Sequence, residues 1–219
     1  METRALGKNG PQVPVICFGG WPLGGAMGAM SEEQAVATVR ASLDAGMTFL
    51  DTAESYRTSE SLVGKAIQGR RQEVFLATKL SGEHSSEHMA HAIDNSLKAL
   101  GTDYVDLYQV HSFDPDTPLD ETLRAFDDLV HQGKVRYIGC SNFAGYQLAK
   151  SLWISDKYGL TRFDSVQPRY NMLYRHPELE LFPLCQEMGV GVIVFSPMAG
   201  GFLTGKHSRE APASGTRFS

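Results

Sequence analysis

The feature that most constrains this chain is a recurring boundary: a short apolar run stops on a polar or aromatic residue and an amphipathic, helix-length segment follows. Such stops fall at Asp51, Lys79, His111, Asn142, Gln167 and Phe195, 25 to 32 residues apart. A repeat of that length holds one strand and one crossover helix, which makes the strands parallel. Two architectures satisfy this pattern, an open doubly wound sheet and a closed barrel. The first gathers its working side chains at one switch point, whereas the second delivers one from every strand to a shared face. Here every strand end carries such a residue. The expected fold class is therefore α/β, a (β/α)8 TIM barrel.

The segments between the strands carry ordinary helix signals. Ser31-Glu32-Glu33-Gln34 is a capping box, with Val36, Val39 and Leu43 on one face and Gly46 as the stop. Ser59–Ile67 turns Leu62, Val63 and Ala66 inward, and Ser86–Leu100 turns Met89, Ile93 and Leu97 inward before Gly101. Thr117-Pro118 opens a helix that runs through Leu123, Phe126 and Val130 to Gly133. Near the N-terminus, Lys8-Asn9-Gly10 between two strand-like pieces predicts a hairpin. Residues 15–18 read as the first buried strand, leading into a glycine-rich loop at 19–25 that matches neither dinucleotide-binding nor P-loop spacing. Residues 190–195 read as the seventh strand.

One domain, residues 1–219, is expected. A barrel of this kind takes about 250 residues, so the domain is expected to be incomplete at its C-terminus, with about seven of eight strands. Its first and seventh strands would then be open edges, and residues 206–219 a loop.

Composition narrows the function. With 42% hydrophobic and 21% charged residues, the chain can bury one good core. A net charge of -5 with no basic run argues against nucleic acid. The N-terminus lacks a leader pattern and the apolar runs are too short for a bilayer, so no membrane is expected and the location is read as cytoplasmic. The 3 cysteines, Cys17, Cys140 and Cys185, sit singly in apolar stretches, as in a reducing compartment. His84, His88 and His91 have no carboxylate or cysteine partner at ligand spacing. They read as a solvated face, and no metal is implied.

On a barrel, Asp51, Lys79 and His111 come from three adjacent strands, with Tyr56 in the loop above them. Each has an ordinary reading alone: Asp51 as a turn cap, Lys79 as a solvated charge, His111 as a half-buried imidazole, Tyr56 as a loop aromatic. Together they suggest a protonation device. A tyrosine ordinarily titrates near 10. A lysine beside it is expected to lower that value, an aspartate to hold the lysine, and the histidine to orient a carbonyl oxygen.

These residues stand in longer motifs. They are Phe49-Leu50-Asp51-Thr52-Ala53-Glu54-Ser55-Tyr56, Ser59-Glu60 with Gly64-Lys65-Ala66, and Ala77-Thr78-Lys79. Further on come Tyr104 through His111 to Asp114, Thr117-Pro118, and Gly133 through Phe143. The last are Gln167 with Tyr170-Asn171, and Phe195-Ser196-Pro197-Met198-Ala199-Gly200-Gly201. Over nearly its whole length the chain resembles an aldo-keto reductase, of the branch of bacterial reductases related to the potassium-channel β subunits.

That resemblance implies Tyr56 as general acid, tuned by Lys79 and Asp51, with His111 positioning the carbonyl. It implies a nicotinamide cofactor, NADPH with NAD not excluded, across the barrel mouth. Ser141, Asn142 and Gln167 would bind its carboxamide, Phe195 would stack on the ring, and backbone around Ser196 and Met198 would meet the pyrophosphate. Gly20 and Trp21, bordering the substrate pocket, count with Asp51 among the residues around the cofactor. Phe195 departs from the usual Tyr or Trp, and the segment that grips the adenosine 2′-phosphate would lie beyond Ser219. The implied function is reduction of a small-molecule aldehyde or ketone. The alternatives are a nicotinamide-binding regulatory or sensor subunit with little turnover, or an inactive truncated product. Oligomeric state is left open.

Overall fold

A computed structural model describes residues 1–218. An antiparallel hairpin of β1 (Thr3–Ala5) and β2 (Gln12–Pro14) comes first. Seven parallel strands follow: β3 (Phe18–Gly19), β4 (Phe49–Asp51), β5 (Phe75–Leu80), β6 (Val105–Val110), β7 (Val135–Ser141), β8 (Ser165–Gln167) and β9 (Gly191–Val192). They pair in sequence order, β3 to β9, with no reversal. That order is the wall of a (β/α)8 barrel, since a doubly wound sheet reverses at its switch point. The crossovers carry α1 (Glu32–Asp44), α2 (Ser59–Ile67), α3 (Ser86–Leu100), α4 (Leu119–His131), α5 (Gly145–Tyr158) and α6 (Leu181–Met188). Among the described residues, β3 and β9 are the sheet's two edges.

Local signals explain the helices. At α1, Gln34 N–H donates to Ser31 Oγ and Ser31 N–H donates to Gln34 Oε1, closing the capping box. At the end of α3, Gly101 takes φ 64, a left-handed value that favours glycine. Phe126 of α4 meets Tyr108 of β6 edge to face, and the row of aromatics continues through the connections: Phe126 on Phe163, Phe163 on Phe143, and Phe143 on Phe113. Each such pair contributes about 0.5–1.5 kcal/mol beyond its buried area. At the opposite end of the strands from the site, Asp106 accepts from Arg71, Arg136 and the Leu76 amide, tying β5, β6 and β7 together.

Several expectations need correction. The hairpin exists, but its connection spans residues 6–11, closed by Leu6 N–H donating to Pro11 O. Positive φ falls at Gly7 rather than at Asn9-Gly10. Gly10 is needed for another reason, because a Cβ there would lie 1.7 Å from the Leu6 carbonyl oxygen. Of residues 15–18 only Phe18 enters the sheet; Val15 and Ile16 are 45% and 54% exposed, ahead of the pairing with β4 at the open edge. The ladder of β9 covers two residues, although the Ile193 and Phe195 amides continue along the preceding chain by donating to Val166 O and Pro168 O. His84 is buried rather than solvated, its amide held by Asp114. Among the described residues no cluster suited to a metal ion occurs, and no helix is long and apolar enough to cross a membrane.

Asp164 offers a test of the interior. Burial pushes its carboxyl up to about 6, against the Ile138 amide, which donates to Oδ2. A raised acid binds its proton more tightly folded than unfolded, so stability present at low pH is lost as pH rises from about 4 through about 6. Asp164→Asn keeps an acceptor and removes the titration. Solvent screening of this half-buried group leaves an expected gain of about 1 kcal/mol at neutral pH, shrinking towards zero near pH 4. Urea denaturation at the two pH values checks it.

Candidate active site

At the ends of β4 and β5 an ion pair is sealed in the interior. Lys79 is fully buried and Asp51 nearly so, and Lys79 Nζ donates to Asp51 Oδ1 and, at 2.9 Å, to Thr52 O. The second carboxylate oxygen accepts from Gln109 Nε2 at 3.2 Å and from Gln167 Nε2 at 3.0 Å. Asp51 is thus held from three strands besides its own.

Tyr56 is carried over this pair by the loop after β4. Lys79 Nζ lies 5.1 Å from the centre of the Tyr56 ring, and the hydroxyl lies 3.4 Å from His111 Nε2. The two rings meet edge to face at 5.4 Å. His111 is the first residue past β6, its amide donating to Leu80 O. Asp51, Tyr56, Lys79 and His111 therefore share one small volume, as the strand order requires.

The electrostatics differ from expectation at one point. Tyr56 is raised, not lowered: burial is the largest cause, Lys79 opposes it, and Asp51 adds to it. The lysine acts here as half of an ion pair, so the carboxylate offsets part of its pull on a phenolate, and burial outweighs the rest. His111 is pushed down to about 4, by burial first and then by Lys79, with Asp51 opposing. Near neutral pH both rings are uncharged, and each can donate a hydrogen bond.

The remaining expected residues lie around this centre in two groups. Ser141 ends β7, and its Oγ donates to Gln167 O at 2.8 Å. Asn142 follows with φ 57, and its Nδ2 donates to His111 O at 2.9 Å and to Ser141 Oγ at 3.1 Å. Gly20 donates its amide to Asp51 O at 2.7 Å, and a Cβ there would lie 2.6 Å from Ser59 Oγ, so the backbones approach as only glycine allows. Trp21 is at the surface with the Arg217 guanidinium 5.1 Å from its ring centre. Phe195, half-buried, bridges Arg169, and Ser196 O accepts from Asn171 Nδ2 at 3.0 Å. Met198 is exposed. Among the described residues, no hydrogen bond, ion pair or ring contact joins Phe195, Ser196 or Met198 to the four central residues; Phe195 N–H donates to Pro168 O, next to Gln167.

Sequence reasoning missed Gln109, Ser55, Ser81 and Glu54. Gln109 had a signal: it is a polar residue near the end of a largely apolar strand, two positions before His111 and so on the same face, opposite Lys79 in register. The other three are loop residues with no periodicity to betray them.

With this geometry in hand, comparison with known proteins is decisive: the profile of the Aldo/keto reductase family matches residues 15–217. The chain belongs to the aldo/keto reductase family. Aldo-keto reductase YhdN of Bacillus subtilis (strain 168) is 36% identical over 224 residues, covering 96% of this chain and 66% of the relative. A probable voltage-gated potassium channel subunit beta of Arabidopsis thaliana is 33% identical over 232 residues, covering 100% of this chain and 70% of the relative. Among solved structures, a thermostable aldo-keto reductase in complex with the inhibitor epalrestat superposes with a TM-score of 0.87 at 36% identity, over 95% of this chain and 77% of that one. This aldo/keto reductase spans about two thirds of the length of the curated relatives it matches.

A nicotinamide cofactor suits the donor set of this aldo/keto reductase. The hydrogen bonds that hold Asn142 and Gln167 use their NH2 groups, leaving both side-chain carbonyl oxygens to accept from a carboxamide. The Ser141 hydroxyl lies between them, accepting from Asn142 and donating to the Gln167 backbone. Asn142, but neither Ser141 nor Gln167, also borders a hollow of about 280 Å³ lined by Phe143, Pro168, Arg169 and Tyr174.

Proposed function

We propose that this aldo/keto reductase converts aldehydes and ketones to alcohols with NADPH, Tyr56 supplying the proton. The observation that carries the reading is the Tyr56 hydroxyl 3.4 Å from His111 Nε2, directly above the buried Lys79 and Asp51 pair. A carbonyl oxygen placed between the phenol and the imidazole would be bonded by two uncharged donors. The nicotinamide, when bound by Ser141, Asn142 and Gln167, supplies the hydride to the carbonyl carbon. As charge develops on the oxygen, the Tyr56 O–H bond breaks and its proton moves there. The resulting phenolate then faces Lys79, whose cation stabilises it until a solvent proton restores the phenol. Burial keeps Tyr56 protonated near neutral pH, which is what a donor requires.

Carboxamide recognition by Ser141, Asn142 and Gln167, stacking by Phe195 and backbone contacts near Ser196 and Met198 belong to the same proposal. So do the places of Gly20 and Trp21 at the pocket rim. Saturating NADPH is expected to raise the melting temperature by several degrees, since binding at a hundredfold its Kd adds about 2.7 kcal/mol. No shift in differential scanning calorimetry would count against a nicotinamide site. Repeating the titration with NADH ranks the two cofactors.

The likeness to potassium channel β subunits favours a second reading, a nicotinamide-binding sensor with little turnover. Multiple turnovers on a generic aromatic aldehyde support the enzyme. Tight NADPH binding followed by one turnover and arrest supports the sensor.

A further inference from the structure

The Nδ1 side of His111 is as carefully built as its Nε2 side. Ser81, the first residue past β5, has its amide donating to Glu54 Oε1 and its carbonyl accepting from His88 Nε2 at 3.2 Å. Two side chains from different elements thus fix its backbone, and the Ser81 hydroxyl comes to lie 3.1 Å from His111 Nδ1. The same hydroxyl donates to Ser55 Oγ at 3.0 Å, and Ser55 Oγ lies 3.3 Å from that nitrogen. A hydroxyl has one proton to give. With the Ser81 proton on Ser55, the Ser55 proton has Nδ1 as its acceptor within the protein.

A neutral imidazole carries its proton on one nitrogen, and the hydrogen bond at the other decides which. We propose that Ser55 and Ser81 are positioning residues that hold neutral His111 in its Nε2–H form, Ser81 donating to Ser55 and Ser55 to Nδ1. Nε2–H then points at the place where Tyr56 and a carbonyl oxygen meet. In the opposite form Nε2 would accept the Tyr56 proton and compete with the substrate for it. The tautomer is inferred from the serine hydrogen-bond chain, and its effect on turnover rests on the carbonyl-reductase reading.

The test is nitrogen-15 NMR of histidine-labelled full chain near neutral pH. Wild type is expected to show His111 Nε2 protonated and Nδ1 unprotonated, and Ser55→Ala/Ser81→Ala to show a mixture of the two forms. With NADPH and an aldehyde, the double variant should lose about tenfold in kcat, the worth of one hydrogen bond, with KM nearly unchanged. Ser55→Ala/Ser81→Thr, which keeps one hydroxyl at Nδ1, should recover most of both readouts. A wild-type spectrum with Nδ1 protonated overturns the proposal whatever the variants do, as does a double variant whose spectrum matches wild type. If the double variant scrambles the tautomer while wild type reduces no carbonyl, the serine pair stands and the carbonyl-reductase reading falls.

Discussion

Lys79→Met is expected to lower the folding stability by about 3–5 kcal/mol and to abolish carbonyl turnover. Breaking a buried ion pair by removing one partner leaves an uncompensated charge in the interior, and that penalty exceeds the worth of the pair itself. Lys79 is fully buried and Asp51 is 8% exposed, so water offers the stranded carboxylate little relief. Gln109 and Gln167 still donate to Oδ2, which places the cost at the lower end of the range. Asp51→Asn in the Lys79→Met background removes the charge and should recover much of the stability. Turnover should stay lost, because neither the cation nor its holder remains. Urea midpoints of the two single variants and the double variant form the cycle that measures the coupling. A Lys79→Met midpoint within about 0.5 kcal/mol of wild type would mean that the pair is not sealed in the interior.

Tyr56→Phe separates chemistry from structure. The hydroxyl lies 3.4 Å from His111 Nε2 and within hydrogen-bonding influence of Lys79, while the ring keeps its contacts with His111 and Lys79 in the variant. Stability should therefore change by less than about 1 kcal/mol. NADPH affinity should hold, because the groups assigned to the carboxamide lie at the ends of β7 and β8, Ser141 and Gln167 on them and Asn142 just past β7. What is lost is the donated proton, and removal of a general acid costs about 10²- to 10⁴-fold in rate. Steady-state kcat with a generic aldehyde is the measurement, with the melting temperature as the control.

Much of this was legible in the sequence because the strand ends repeat. Asp51, Lys79 and His111 each close an apolar run, and parallel strands taken in order place such residues side by side. Ser59–Ile67 and Ser86–Leu100 were bounded correctly because a glycine follows each and their apolar spacing is unbroken. Residues 15–18 failed for a reason the pattern does not carry. An apolar run reads as buried wherever it stands, yet Val15 and Ile16, ahead of the edge strand, are 45% and 54% exposed. The direction of the Tyr56 shift was also hidden. Lysine beside tyrosine suggests a lowered value, but the outcome depends on burial and on how closely Asp51 neutralises the lysine. Ser81 was invisible because its place is set by a loop carboxylate, Glu54, and a helix side chain, His88, which no periodic pattern ties to it.

The central claim is that Tyr56, kept protonated by its burial, gives the proton to the carbonyl oxygen. The most direct test is the pH dependence of single-turnover NADPH oxidation with a generic aldehyde, for wild type and Tyr56→Phe. The wild-type rate is expected to be level through neutral pH and to fall only as the phenol ionises, above the ordinary tyrosine value of about 10. The slower Tyr56→Phe enzyme should lack that fall. A wild-type rate that drops between about pH 6 and 8, or the same high-pH fall in Tyr56→Phe, would contradict the account.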